Sequence, residues 1–238
     1  MSFKKEAVLV ERRVLTDDVF ELVFEVPPQF DFSYQAGQFV SIEVPARHED
    51  EKMVMRQYSI SSGPDSSRRF ELCYKRIPEG RATDGYFPHI QIGESIQFVG
   101  PAGRFTLQQN DHPIVFIATG TGVAPFKAML EDMWSKGDTR HSTLLFGVSF
   151  LKDLCYIEYF SSKEGEHFTF APCVSRPEGE CSNFVGRVTH YLEKNNEHAE
   201  DTDFYICGSG SMIDDVKNLL LSQGIMKEHI FFEKYNNL

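Results

Sequence analysis

The feature that most limits how this 238-residue chain can fold is an unbroken apolar run, Ile114-Val115-Phe116-Ile117-Ala118, that gives way at once to Thr119-Gly120-Thr121-Gly122-Val123-Ala124-Pro125. A short continuous apolar run is the pattern of a strand buried on both faces, as in a parallel sheet. Pro125 to Trp134 then place Phe126, Met129, Leu130 and Met133 on one helical face. Further strands are read over Thr143–Val148, Phe168–Val174 and Phe204–Cys207, with helical stretches over Val188–Lys194 and Met212–Ser222. Strands alternating with helices predict an α/β domain on a parallel sheet.

The residues before this point have another rhythm. Ala7–Val14, Val19–Val26, Gln38–Val44, Met55–Ile60, Phe70–Tyr74 and Ser95–Val99 are short segments rich in Val, Ile and Phe, several of them alternating apolar with polar positions. Turn residues such as Pro27-Pro28, Ala36-Gly37 and Gly63-Pro64-Asp65 separate them. Such short, evenly spaced strands predict a small antiparallel barrel, with one short helix inside Gly80–His89. The rhythm changes near Asn110-Asp111-His112-Pro113, which predicts domains over 1–109 and 110–238.

Composition removes several function classes. With 24 basic and 35 acidic residues the net charge is −11, against nucleic acid as the main ligand and against an anionic membrane surface. No apolar run approaches the ~20 residues of a membrane span. No apolar segment follows Met1-Ser2-Phe3-Lys4-Lys5-Glu6, so no secretory signal is read and a cytoplasmic location is expected. The five cysteines, Cys73, Cys155, Cys173, Cys181 and Cys207, are odd in number, irregularly spaced and without a CxxC pair. No disulfide framework, iron–sulfur centre or metal site is expected from them.

Six segments carry candidate chemistry. At Thr119–Pro125, glycines allow close backbone approach and the helix start offers unpaired N–H groups; this suits a pyrophosphate, or else is a tight turn with no ligand. It is neither GxGxxG nor a P-loop, since no Lys follows the glycines. Arg56-Gln57-Tyr58-Ser59 offers a fork of phosphate donors, a flat ring for a heterocycle and a small hydroxyl, or else an exposed Arg beside a barrel-packing Tyr. Gly80-Arg81-Ala82-Thr83 opens the short helix with Thr83 as N-cap, facing a second phosphate or capping an ordinary turn. Gly100-Pro101-Ala102-Gly103-Arg104-Phe105 closes the barrel half, or is a linker turn. Cys207-Gly208-Ser209-Gly210-Ser211-Met212 repeats strand, glycine turn and helix where parallel sheets bind ligands; a buried core thiol is the other reading of Cys207. Phe231-Phe232-Glu233-Lys234-Tyr235 by itself reads as an edge strand.

In their order and spacing these segments resemble the ferredoxin–NADP reductase superfamily over essentially the whole chain. Arg56, Tyr58 and Ser59 are similar to its RxYS flavin motif, and Gly80 and Thr83 to its GxxS/T pyrophosphate motif. Gly100, Pro101, Gly103 and Phe105 resemble GPxGxF; Gly120, Thr121, Gly122 and Pro125 resemble GTGxxP; Cys207, Gly208 and Met212 resemble CGxxxM. Glu233 and Tyr235 resemble the acidic and aromatic C-terminal pair, although Asn236-Asn237-Leu238 follow where plant-type relatives end on the tyrosine.

The resemblance implies a six-stranded antiparallel Greek-key β-barrel that binds FAD, followed by an α/β parallel-sheet domain that binds a nicotinamide nucleotide. It implies Arg56 on the flavin pyrophosphate, Tyr58 against the isoalloxazine and Ser59 near its N5. Gln57, Cys73, Tyr74, Lys75, Gly80, Arg81, Ala82 and Thr83 complete that set. Thr119, Gly120, Thr121, Gly122, Pro125, Gly208 and Met212 would hold the nucleotide, with Cys207 beside the nicotinamide and Tyr235 over the other flavin face. Ser59, Cys207, Glu233 and Tyr235 form the implied catalytic set. Ser175, Arg176 and Arg187 fall where NADPH-using relatives bind the 2′-phosphate, which favours NADPH over NADH; surface arginines would look the same. The implied reaction passes a hydride from NADPH to FAD, then single electrons to a ferredoxin, a flavodoxin or another separate acceptor. Alternatives are an NADH-dependent reductase component of an oxygenase, a free flavin or quinone reductase, and an electron-relay subunit. Docking an acidic ferredoxin to an acidic chain would need a basic patch, with Arg12-Arg13, Arg68-Arg69 and Lys75-Arg76 as candidates. A monomer is expected.

Overall fold

The computed structural model describes residues 4–46, 48, 50–196, 198–199 and 201–235. Asn236, Asn237 and Leu238, and the first three residues of the N-terminal reading, lie outside them. The chain forms two compact units. The first is Met1–Leu107 with Lys127–Asp132, and the second is Gln108–Phe126 with Met133–Leu238.

The first unit is built from β1 (Lys5–Val14), β2 (Val19–Glu25), β3 (Phe39–Val44), β4 (Val54–Ser59), β5 (Arg69–Lys75) and β6 (Ser95–Ala102). The strands pair antiparallel in the order β4-β3-β6-β1-β2-β5. An antiparallel bridge between Ile60 and Leu72, and the Ser61 amide donating to the Glu71 carbonyl at 2.8 Å, bring the sheet's two ends together. That closure leaves no long free edge. Period-2 alternation sends Leu22, Phe24, Val40, Ile42, Phe70, Leu72, Ile96 and Phe98 into the barrel core. Phe70 packs 5.4 Å from both Phe24 and Phe98, which is where the phenylalanine-rich composition is spent.

The helix expected in Gly80–His89 does not form. The Thr83 hydroxyl accepts from the Ile77 amide upstream (3.3 Å), and the Gly80 carbonyl takes the amides of both Asp84 and Gly85. That bond closes a local turn, the arrangement that competes with a helix cap. The segment makes consecutive turns and a single 3-10 turn at Phe87–His89.

The second unit runs β7 (Ile114–Thr119), α1 (Ala124–Ser135), β8 (Ser142–Val148), α2 (Ile157–Ser161), β9 (Phe168–Val174), β10 (Phe184–Val185), α3 (Val188–Lys194), β11 (Asp203–Ser209), α4 (Gly210–Ser222) and β12 (Ile230–Tyr235). The middle of α1, from Lys127 to Asp132, counts with the first unit. All six strands are parallel, in the order β10-β9-β8-β7-β11-β12. The chain starts at β7, works outward through β8 and β9 to β10, then returns to the other side of β7 as β11. The order therefore reverses between β7 and β11, and parallel sheets bind ligands at the C-terminal ends of strands flanking such a reversal. Helix α4 buries Met212, Ile213, Val216 and Leu220 against Val115, Ile117 and Ile206 of the sheet. No helix among the described residues is long and apolar enough to cross a membrane.

Candidate functional site

In the first unit, β4 presents the RxYS residues. Alternation puts Arg56 and Tyr58 on one face of β4 and Gln57, which is exposed, on the other. Tyr58 packs 5.0 Å from Phe87, and burial pushes its hydroxyl well above the ordinary phenol range. It is a fixed, neutral ring. Among the described residues, the one hydrogen bond made by the Arg56 side chain goes to the adjoining Met55 carbonyl at 3.2 Å. A planar guanidinium with most of its donors unspent fits a diphosphate.

Other residues of the expected flavin set serve the barrel itself. Tyr74 is buried between Phe20 (5.6 Å) and Phe87 (5.0 Å), and Cys73 is buried beside it. Lys75 is tied to Asp18 at 2.8 Å. Arg81 ties Pro45 to Lys52: it donates to the Pro45 carbonyl (3.1 Å) and the Lys52 carbonyl and pairs with Glu51 at 3.6 Å. Ala82 is buried, and Gly80 must stay small because a Cβ there would collide with the Thr83 hydroxyl.

The same unit holds a charge cluster that joins β1, β2 and β5 to α1. Lys127 is 6% exposed; its ammonium reaches Glu71 (2.7 Å), Glu131 (2.9 Å) and the Ser61 carbonyl (3.2 Å), with Glu21 at 3.9 Å. Arg13 closes the cluster with bonds to Glu71 (2.7 Å) and Glu21 (2.9 Å). Burial alone would drive the Lys127 ammonium to lose its proton, but the three carboxylates around it raise its pKa above the ordinary lysine value. Burial likewise opposes the charge on Glu71, yet Lys127 and Arg13 hold its carboxyl below the usual range. The Ser61 bond fixes the backbone two residues beyond Ser59. The only sequence signal was the Lys-to-Glu spacing of 127 and 131 on one helical face.

The six basic residues considered for docking are each engaged within their own chain. Arg12 donates to the Phe87, Pro88 and Ile90 carbonyls, and Arg68 to those of Val26, Pro27 and Phe30. Arg69 pairs with Glu25 (2.8 Å), Lys75 with Asp18, and Arg76 with Asp84 (2.6 Å), while Arg13 serves the buried cluster.

In the second unit, the two glycine turns interlock at the switch point. Thr119 to Val123 leave β7 in a 3-10 turn that runs directly into α1, with Pro125 in its first turn. Gly120 adopts φ +55, and a Cβ built there would meet nothing within 4 Å, so its backbone faces open space. Such a cradle at a helix start fits a pyrophosphate. Gly122 is the opposite case: a Cβ there would collide with the Cys207 carbonyl at the end of β11. Gly208, at φ +149, would in turn collide with the Thr119 hydroxyl, to which the Ser209 amide donates at 3.5 Å. Ser209 caps α4, its side chain accepting from the Met212 amide.

The parallel register of β11 with β12 pairs Cys207 with Glu233 and Ser209 with Tyr235, which brings three members of the expected catalytic set together. Burial, reinforced by the charge of Glu233, pushes the Cys207 thiol well above its ordinary value; a hydrogen bond with Tyr235 works against this. The thiol is protonated throughout the neutral range. On the far side of the sheet, Ser175 and Arg176 follow β9 and Arg187 follows β10. Val174 pairs with Val185, and Arg176 and Arg187 each lie two residues beyond that pair, both exposed. The Ser175 hydroxyl donates to the Val148 carbonyl at 3.2 Å.

Comparison with known proteins gives the class first. Residues 6–107 match the oxidoreductase FAD-binding domain and residues 116–218 the oxidoreductase NAD-binding domain. The protein is thus an NAD(P)H-dependent flavoprotein reductase that uses FAD. It belongs to the ferredoxin–NADP reductase superfamily: it is 33% identical over 241 residues to ferredoxin–NADP reductase B of Sorangium cellulosum, with 97% of each chain covered. It is also 26% identical over 232 residues to the toluate 1,2-dioxygenase electron transfer component of Pseudomonas putida, covering 97% of this chain and 67% of that one. The fold matches the crystal structure of a ferredoxin NADP+ reductase from Neisseria gonorrhoeae with a TM-score of 0.82, 24% identity and coverage of 98% and 99%.

Proposed function

We propose that this reductase prefers NADPH and delivers electrons singly to a separate carrier of the ferredoxin or flavodoxin kind, acting as a monomer with its flavin domain over 1–109 and its nucleotide domain over 110–238. The observation that carries the nucleotide part is the pair of interlocked turns at the β7/β11 reversal, with Gly120 open and Gly122 closed against Cys207. The carrier rests on the likeness to the Sorangium reductase along the full length of both chains.

Bound FAD supplies the conversion of a two-electron hydride donor into one-electron output. The chain supplies order. Arg56 neutralises the flavin diphosphate, Tyr58 gives a rigid ring held by Phe87, and Ser59 offers a hydroxyl at the end of β4. The Gly80–Thr83 turn contributes backbone amides, and Cys73 and Tyr74 contribute backbone only. In the second unit the amides of Gly120 and Thr121 receive the nucleotide pyrophosphate at the start of α1. Cys207, kept neutral, is a small S–H donor and not a nucleophile, and Glu233 and Tyr235 fix its surroundings. Arg176 and Arg187 together receive the 2′-phosphate. Holding donor and acceptor in fixed orientation removes much of the entropic barrier to hydride transfer.

The test is anaerobic bleaching of the flavin-loaded protein by NADPH and by NADH, for the parent and for Arg176→Ala and Arg187→Ala. A charge-assisted bond is worth about 1.5–3 kcal/mol. Each variant should therefore lose about tenfold or more in NADPH-driven rate at limiting cofactor, with the NADH rate unchanged. Equal bleaching by both nucleotides in the parent would remove the NADPH preference. A second reading, an NADH-dependent component serving an oxygenase, would then lead; it draws on the toluate dioxygenase relative and on the engagement of all six basic docking candidates within the chain.

A further inference from the structure

At the end of the second sheet opposite the glycine turns, three strand starts bring His112, Asp203 and His229 together. Asp203 is the first residue of β11, His112 stands two residues before β7, and His229 immediately precedes β12. The register that pairs Asp203 with Ile114 and Phe204 with Ile230 makes this meeting unavoidable. One nitrogen from each imidazole and one carboxylate oxygen lie within 4.8 Å of one another. Nδ1 of His229 is 2.7 Å, and Nδ1 of His112 3.4 Å, from the same oxygen, Oδ1 of Asp203.

We propose that His112, Asp203 and His229 form a binding site for a divalent transition cation of the zinc class, separate from the flavin and nucleotide residues. Two imidazoles and a carboxylate are the donor set that zinc, cobalt and nickel take, with water filling the remaining positions. Ligand atoms around a tetrahedral zinc stand about 3.3 Å apart, given metal–ligand bonds near 2.0–2.1 Å. The two nitrogen-to-oxygen separations straddle that value, and the Asn110 side-chain nitrogen, 3.0 Å from Nδ1 of His112, would give way to the cation.

The carboxylate is oriented in advance. Its Oδ2 accepts from the Asn110 side chain at 2.8 Å, which leaves Oδ1 turned to the two imidazoles. Arg140 in turn holds the Asn110 carbonyl at 3.1 Å. An outer layer of this kind fixes ligand geometry at metal sites. Asp203 is 2% exposed, His229 14% and His112 30%, so the site has a buried anionic floor and an open rim. The cation would staple the starts of β7, β11 and β12. It sits about 13 Å along β11 from Cys207, at ~3.3 Å per residue.

The experiment uses the full chain with FAD bound, freed of metal with a chelator and titrated with Zn2+ by calorimetry. Co2+ absorption serves as an independent probe of donor set and geometry. The expected result is one Zn2+ per chain. His112→Ala and His229→Ala should each weaken it at least tenfold, and Zn2+ should raise the thermal midpoint of the parent but not of the variants. His141→Ala is the control, because His141 and His167 form a second imidazole pair, with ring centres 6.5 Å apart, elsewhere on the unit. Should His229→Ala lose the fold, the more exposed His112→Ala carries the test. Absence of one-to-one binding would overturn the proposal. So would affinity that falls in His141→Ala and not in His112→Ala, or Co2+ spectra unchanged by the loss of His112.

Discussion

In the first unit, the residues facing the candidate flavin act through long side chains standing on a strand, and the neighbours of those side chains are charges and aromatic rings. In the second unit, the candidate nucleotide site is backbone: Gly122 lies against the backbone of Cys207, and Gly208 against the Thr119 hydroxyl and the Met212 methyl. Arg56 has donors to spare. Gly122 and Gly208 carry no side chain and touch the opposing strand end so closely that neither can accept a methyl group. The difference implies that ligand affinity and stability are separable in the barrel and inseparable in the parallel sheet.

The largest test of that contrast lies in the Lys127 cluster. Lys127→Met would leave the buried Glu21 and the half-buried Glu71 with only Arg13 to answer them, and stranding buried charge costs about 3–5 kcal/mol. Urea unfolding of the flavin-free protein should show that loss, even though Lys127 bears no ligand. Next comes Gly122→Ala, where the added Cβ meets backbone that cannot rotate away. Overpacking of this kind costs about 1–3 kcal/mol, and here stability and NADPH-driven bleaching should fall together. If bleaching survived while stability dropped, the turn would not be the nucleotide cradle.

Arg56→Ala should do the reverse, weakening FAD binding about tenfold, near 1.4 kcal/mol, with an unchanged urea midpoint for the flavin-free protein. A shared loss in both would erase the contrast. The smallest effect concerns pH. Glu71 is held below its ordinary value of 4.5 in the folded state. Its contribution is therefore complete above that ordinary value and disappears as the pH falls through the lowered folded one. The unfolding midpoint of the parent, followed from about pH 6 to pH 3, should decline more steeply than that of Glu71→Gln. Parallel slopes would show that the carboxylate's partners do not stabilise its charge.

The sequence exposes regular elements well and partnerships poorly. Barrel strands announce themselves by alternation, β7 by its unbroken apolar run, and α1 and α4 by their apolar faces. Two elements escaped notice for physical reasons: β10 is two residues long and α2 five, too short for any period to repeat. The short helix expected after Gly80 is replaced by turns, with the Thr83 hydroxyl bonded back to the Ile77 amide, a contact invisible without coordinates. The glycine turns were legible because a strand–glycine–helix order is local. Arg81 was not, because what it grips, Pro45 and Glu51, is distant in sequence. The acid–histidine group at the strand starts was unreadable for the same reason: its members at 112, 203 and 229 show no ligand spacing, and only parallel pairing unites them.

One consequence follows from the barrel unit being discontinuous in sequence. Because Lys127–Asp132 belong with Met1–Leu107, the ammonium that answers Glu21 and Glu71 is supplied from beyond the strand and turn that begin the nucleotide unit. A fragment ending at residue 109 would inherit both carboxylates with only Arg13 left to answer them. For anyone assembling chimaeric reductases, the flavin half is thus not a cassette with clean ends. A graft must carry the helix bearing Lys127, or neutralise both acids, before the transplanted barrel can be judged on its own merits.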